Sequence, residues 1–101
     1  MPYGLSERVI DQLQAVFQKS SKIEKVILYG SRAKGNYKPG SDIDLTVISE
    51  SLTLTELLAL ENAVDDLLLP YKVDLSLYSK IDNEELKEHI HRVGVEFYTK
   101  S

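Results

Sequence analysis

The segment VILYGSRAKGNYKPGSDIDLTVIS, residues Val26–Ser49, runs from one apolar strand into Gly30-Ser31 and through a basic loop. It returns through Asp42-Ile43-Asp44 into a second apolar strand. Lys25–Tyr29 is rich in β-branched and aromatic residues, which suits a buried strand. Gly30–Gly35 is expected as a turn opening a short helix, and Asn36–Ser41, with Pro39-Gly40, as a loop. About a dozen residues join the strands, a short allowance for a parallel crossover, so the two are expected side by side and antiparallel. That topology alone sets the Gly-Ser turn next to the aspartates. In the strand Asp42–Ile48, Ile43, Leu45 and Val47 share one face while Asp42, Asp44 and Thr46 share the other.

Outward from this segment the chain alternates. Ser6 is placed to cap a helix to about Lys19, with Val9, Ile10, Leu13, Val16 and Phe17 forming one apolar stripe. Thr53 with Glu56 has capping-box spacing for a helix through Leu68, cored by Leu57, Leu60, Val64 and Leu67. Leu54, Leu58 and Leu68 widen that stripe: they complete the domain's own core or form a docking surface. Pro70 stops the helix, and Lys72–Tyr78 is expected as the third strand, with Asp74 opposite Val73, Leu75 and Leu77. Asp82 with Glu85 repeats the capping spacing for a last helix carrying Leu86 and Ile90. Gly94 ends it, leaving VEFYT as a short strand or an extended tail. The expected fold is α/β of the α+β type: a small mixed sheet with helices packed on it, in the order αβ(α)βαβα, as a single domain over residues 1–101.

Composition narrows the functions. The chain has no cysteine, which excludes disulfides and thiolate zinc sites. The start lacks a signal-peptide pattern and no apolar run approaches a membrane span, so a cytoplasmic protein is expected. A net charge of −4 argues against general nucleic-acid binding. The basic loop, with Arg32, Lys34 and Lys38 and no acid, suits a small anionic ligand better than a long polyanion, while taken by itself it reads first as a solvated loop.

Asp42 and Asp44, two apart in a strand, project from one face and repel unless a cation lies between them. Hard oxygen ligands suit magnesium. The pair alone is also compatible with a solvated strand entrance. Asp74, at the outward parity of another strand, completes a set of three carboxylates able to serve two metal ions in phosphoryl displacement. Glycine at position 30 lets the backbone approach a phosphate, and Ser31 adds a hydroxyl donor. Lysine is missing from the P-loop position, where Asn36 stands. His89 and His91 do not share a helix face, so no metal pair is expected there. Tyr37 is either a base-stacking side chain or an ordinary exposed tyrosine.

Taken together, Leu28-Tyr29-Gly30-Ser31, then Ser41-Asp42-Ile43-Asp44-Leu45, with Val73-Asp74-Leu75, resembles the polymerase-β-like nucleotidyltransferase superfamily, with ten residues between Ser31 and Asp42 as in its minimal branch. The resemblance implies transfer of a nucleotidyl group from Mg²⁺-bound nucleoside triphosphate, with ATP the expected donor, to a hydroxyl. It assigns Gly30 and Ser31 to the β- and γ-phosphates, Asp42, Asp44 and Asp74 to two Mg²⁺ ions, and Asp74 also to deprotonating the acceptor. Arg32 and Lys34 would neutralise pyrophosphate. Minimal members of the family commonly act as antitoxins that adenylylate a small helical HEPN-type RNase toxin, which implies a partner-supplied acceptor docking on the surplus leucines or VEFYT. The alternative is a binding module that neutralises its partner by occlusion. A sugar-nucleotide enzyme, suggested by Asp-x-Asp alone, generally needs a longer chain. The sequence leaves the oligomeric state open.

Overall fold

The computed structural model describes residues 2–100. Its elements are α1 (Glu7–Gln18), β1 (Lys25–Tyr29), α2 (Gly30–Lys34), β2 (Ile43–Ile48), α3 (Leu54–Asp65), β3 (Val73–Leu77), α4 (Glu84–Val93) and β4 (Val95–Thr99). The strands form one mixed sheet in the order β3-β2-β1-β4. β1 pairs antiparallel with both β2 and β4, while β2 and β3 are parallel, with α3 in the crossover. The short β1–β2 connection therefore gives the antiparallel pair that its length requires. VEFYT is a strand, completing the sheet beside β1.

Alternation along the strands creates two unlike faces. Val26 and Leu28 of β1, Ile43, Leu45 and Val47 of β2, and Leu75 and Leu77 of β3 join one buried cluster with Leu13, Val16 and Phe17 of α1 and Leu57, Leu60 and Val64 of α3. The opposite parity carries Tyr29, Asp44 and Asp74, the face that forms the site.

Caps fix the helix starts. Ser6 accepts from the Val9 amide. Thr53 Oγ1 accepts from the Glu56 amide, and Glu56 Oε1 accepts from the Thr53 amide, the expected capping box. The last helix departs from expectation: Asn83, not Asp82, is the cap, its Oδ1 accepting from the Leu86 amide. α3 also ends at Asp65, three residues before Leu68. Two acids at its carboxyl end, Asp65 and Asp66, oppose the helix dipole, and Pro70 disfavours helical backbone at Leu69. Leu68 takes φ 54° there. Leu54, Leu58 and Leu68 are 58%, 56% and 87% exposed, so they do not complete the domain's own core.

Candidate active site

The register across three strands places Tyr29 opposite Asp44 and Asp44 opposite Asp74. Asp44 is half-buried, whereas Asp74 and Asp42 are exposed. Asp42 lies one residue before β2 rather than inside the strand as expected. The next row down is Thr46 and Ser76, register partners whose hydroxyls bond, with Ser76 Oγ donating to Thr46 Oγ1 at 2.9 Å. Thr46 is fully buried.

Electrostatics mark the row. Burial pushes the Asp44 carboxyl above its ordinary range, and the negative charges of Asp74 and then Asp42 push it further, opposed by the Lys72 ammonium. Burial likewise raises the Tyr29 phenol; the Ser76 hydroxyl opposes this, while Asp74 and Asp44 add to it. Anionic carboxylates gathered on a partly dry face are the environment that a cation relieves. Among the described residues no three His, Asp or Glu groups already converge as a metal cage. The donor set nevertheless fits Mg²⁺, which keeps several waters and takes one or two carboxylates together with substrate phosphates.

Gly30 begins α2 with φ 75°, a backbone conformation that a side chain disfavours. A Cβ there would fall on Asp44 Oδ2. Glycine is therefore what allows the turn to close onto the carboxylate. Gly35, at φ 90°, ends α2 as a left-handed cap, its amide bonded to the Ser31 carbonyl.

Arg32 departs from its expected role. It is 1% exposed. Its Nε and Nη2 donate to the Ser41 carbonyl at 3.1 and 2.9 Å, Nη1 to that of Tyr3 at 2.9 Å, and Nη2 also to that of Pro39 at 3.2 Å. Its guanidinium carbon sits 5.3 Å from the Tyr37 ring centre and 4.8 Å from that of Tyr71. With its donors committed to carbonyls and aromatic rings stacked on it, Arg32 ties the loop that delivers Asp42 rather than reaching for pyrophosphate. Tyr37 is thereby engaged with Arg32. Lys34 is exposed in the last turn of α2.

The sequence raises His89 only as half of a metal pair with His91, and the structure gives it a different place. Its Nε2 accepts from the Gly30 amide at 3.1 Å, and its ring meets Tyr29 edge-on with centres 6.1 Å apart. The signal was present in α4, where His89 follows Leu86 by three residues and precedes Val93 by four, on the inward stripe. On the other side of the site, a cleft of about 550 Å³ runs between α3 and β3, its walls including Glu61, Asp65, Leu68, Tyr71, Lys72 and Asp74.

Comparison with known families identifies the family of the chain. Residues 11–101 match the family described as "Polymerase beta, Nucleotidyltransferase". The chain belongs to the polymerase β nucleotidyltransferase family. Two Methanocaldococcus jannaschii proteins provisionally named protein adenylyltransferases are similar to this nucleotidyltransferase. One is 31% identical over 83% of the chain and 86% of its own length. The other is 36% identical over 68% and 70%.

Solved structures share the nucleotidyltransferase fold at low identity. A crystal structure of a toxin–antitoxin with AMP-PNP gives a TM-score of 0.71 at 22% identity, covering 96% of this chain and 76% of that one. A tri-AMPylated Shewanella oneidensis HEPN toxin in complex with an MNT antitoxin gives 0.69 at 16%, covering 95% and 74%. Among the described residues of the nucleotidyltransferase, no helix is long and apolar enough to cross a membrane.

Proposed function

We propose that this nucleotidyltransferase moves AMP from Mg²⁺-bound ATP to a hydroxyl of a partner protein, and that the partner is a small helical HEPN-type toxin which it restrains as an antitoxin in the cytoplasm. The observation that carries the reading is the row Asp44–Asp74 with Gly30 packed against Asp44. It joins a cation-seeking carboxylate pair to a turn that admits phosphate. The relatives carrying the name protein adenylyltransferase support AMP as the group transferred.

In this reading the turn at Gly30-Ser31 receives the β- and γ-phosphates, with Lys34, at the end of the same short helix, serving the leaving pyrophosphate. Asp42, Asp44 and Asp74 would hold two Mg²⁺ ions, whose contribution when bound would be Lewis-acid neutralisation of the triphosphate charge. The acceptor oxygen forms a bond to the α-phosphorus, the α–β phosphoanhydride bond breaks, and pyrophosphate leaves. Asp74 takes the hydroxyl proton; it stands on the wall of the α3–β3 cleft, where an acceptor side chain has room to enter. The exposed Leu54, Leu58 and Leu68 favour partner docking along the same flank.

The test is labelling of the partner by ATP and magnesium. Equal labelling by wild type and Asp42→Ala/Asp44→Ala would sink the reading. A second contribution, occlusion by the leucine face, predicts that the double variant still forms the complex and still protects cells. Loss of protection with the complex intact rejects occlusion.

A further inference from the structure

We propose that His89 is a positioning residue for the nucleotide turn: it holds the Gly30 amide, so that contacts from this turn to phosphate begin at Ser31. The inference rests on the nucleotide reading of Gly30-Ser31 given above.

The strand ladder runs out just before this point. The last register partners of β1 are Tyr29 with Asp44 on one side and Leu28 with Val95 on the other. Gly30 follows, turns with φ 75°, and its N–H lies in a part-buried setting where an unpaired amide is costly. His89 Nε2 supplies the acceptor at 3.1 Å from 59 residues away. The ring is not free to wander, because Tyr29 meets it edge-on at 82° and the rigid α4 carries it. Accepting at Nε2 requires the proton to be on Nδ1.

The roles within Gly30-Ser31 then separate. Gly30 contributes its conformation and the absent Cβ that gives Asp44 Oδ2 its place. Ser31 contributes donors. His89 touches neither the donor nor the acceptor in this scheme; it sets the direction in which Ser31 presents its N–H and Oγ. Errors of about 1 Å in such placement cost roughly a hundredfold in rate.

The experiment measures Mg²⁺–AMP-PNP affinity by calorimetry for wild type, His89→Ala, His89→Gln and His91→Ala, with the thermal midpoint of each. Amide exchange of Gly30 and the imidazole tautomer of His89 are read by NMR on the full chain. His89→Ala is expected to bind nucleotide about tenfold more weakly, the scale of one lost hydrogen bond. His89→Gln, whose amide oxygen can accept from Gly30, is expected to recover most of that affinity, and His91→Ala to match wild type.

Unchanged or tighter binding by His89→Ala overturns the proposal, tighter binding marking the imidazole as a competitor of phosphate. His89→Gln as weak as His89→Ala overturns the acceptor role. Should His89→Ala unfold, the wild-type spectrum decides: a freely exchanging Gly30 amide or an Nε2–H tautomer overturns the strut. A wild type that binds no nucleotide defeats the proposed function and this inference together. One that binds, with His89→Ala its equal, defeats the inference alone.

Discussion

Asp44→Asn is expected to stabilise the protein while abolishing transfer. The carboxyl of Asp44 is pushed up by burial and by Asp74 and Asp42, so its ionised form is penalised in the folded state. Its side chain enters none of the hydrogen bonds seen among the described residues, so an amide there loses no partner. Adjacent strands lie roughly 4.8 Å apart. At that spacing two carboxylates repel by about 1 kcal/mol in a water-like dielectric and by about four times as much at an effective dielectric near 20. Asp44 is half-buried and Asp74 exposed, so solvent screening selects the lower figure, about 1 kcal/mol.

For a domain of this size 1 kcal/mol moves the melting midpoint by about 4–8 °C. The assay is thermal melting near neutral pH in chelator. The sign follows from linkage: a folded-state pKa above the unfolded one makes the native state bind more protons, so stability falls as pH rises through that interval. The advantage of Asp44→Asn should therefore be full above the raised value and disappear below the ordinary carboxylate range. Added magnesium should stabilise wild type more than the variant. A variant melting at or below wild type in chelator, near neutral pH, refutes the reasoning.

Arg32→Lys is expected to cost about 3 kcal/mol in denaturant melts, because one ammonium cannot span three carbonyls and two aromatic rings; a loss below about 0.5 kcal/mol removes Arg32 from the loop's support. Gly30→Ala should lower labelling at least tenfold through strain at positive φ and collision with Asp44, and an active variant would show that the turn tolerates a side chain. Leu58→Glu should leave the melting midpoint within about 2 °C, since the residue is exposed, yet weaken the complex with the partner measured by calorimetry. Unaltered affinity would move the docking face elsewhere.

The sheet was legible because its strands follow a period of two with acids confined to one parity. Asp42, Asp44 and Asp74 could be grouped from that parity and a short connection, before any coordinates. Arg32 could not be placed that way. Its charge and position in a basic loop suggest an anion, while its partners are the main-chain oxygens of Tyr3, Pro39 and Ser41, which side-chain identity does not encode. His89 was weighed only against His91 as a metal pair; its partner is a backbone amide on another element. VEFYT left strand and tail equally open because pairing with β1 is a long-range event. The end of α3 was misplaced because apolar spacing continues through Leu68, whereas the helix answers to the acids and Pro70 that follow.

That long-range pairing bears on how a new molecule is assembled. β1 and β2 join across one short loop, and β3 follows through a single helix, so the three strands bearing Tyr29, Asp44 and Asp74 close at modest entropic cost. β4 reaches back to β1, as in the contact between Lys25 and Glu96, 71 residues apart. Non-local pairings of this kind form slowly. During synthesis the carboxylate row is expected to fold while β4 is still inside the ribosome, with α4 and its histidine closing over the site last. Docking of β4 on β1 then completes the sheet, and pulsed hydrogen exchange during refolding should show Leu45 protected before Phe97.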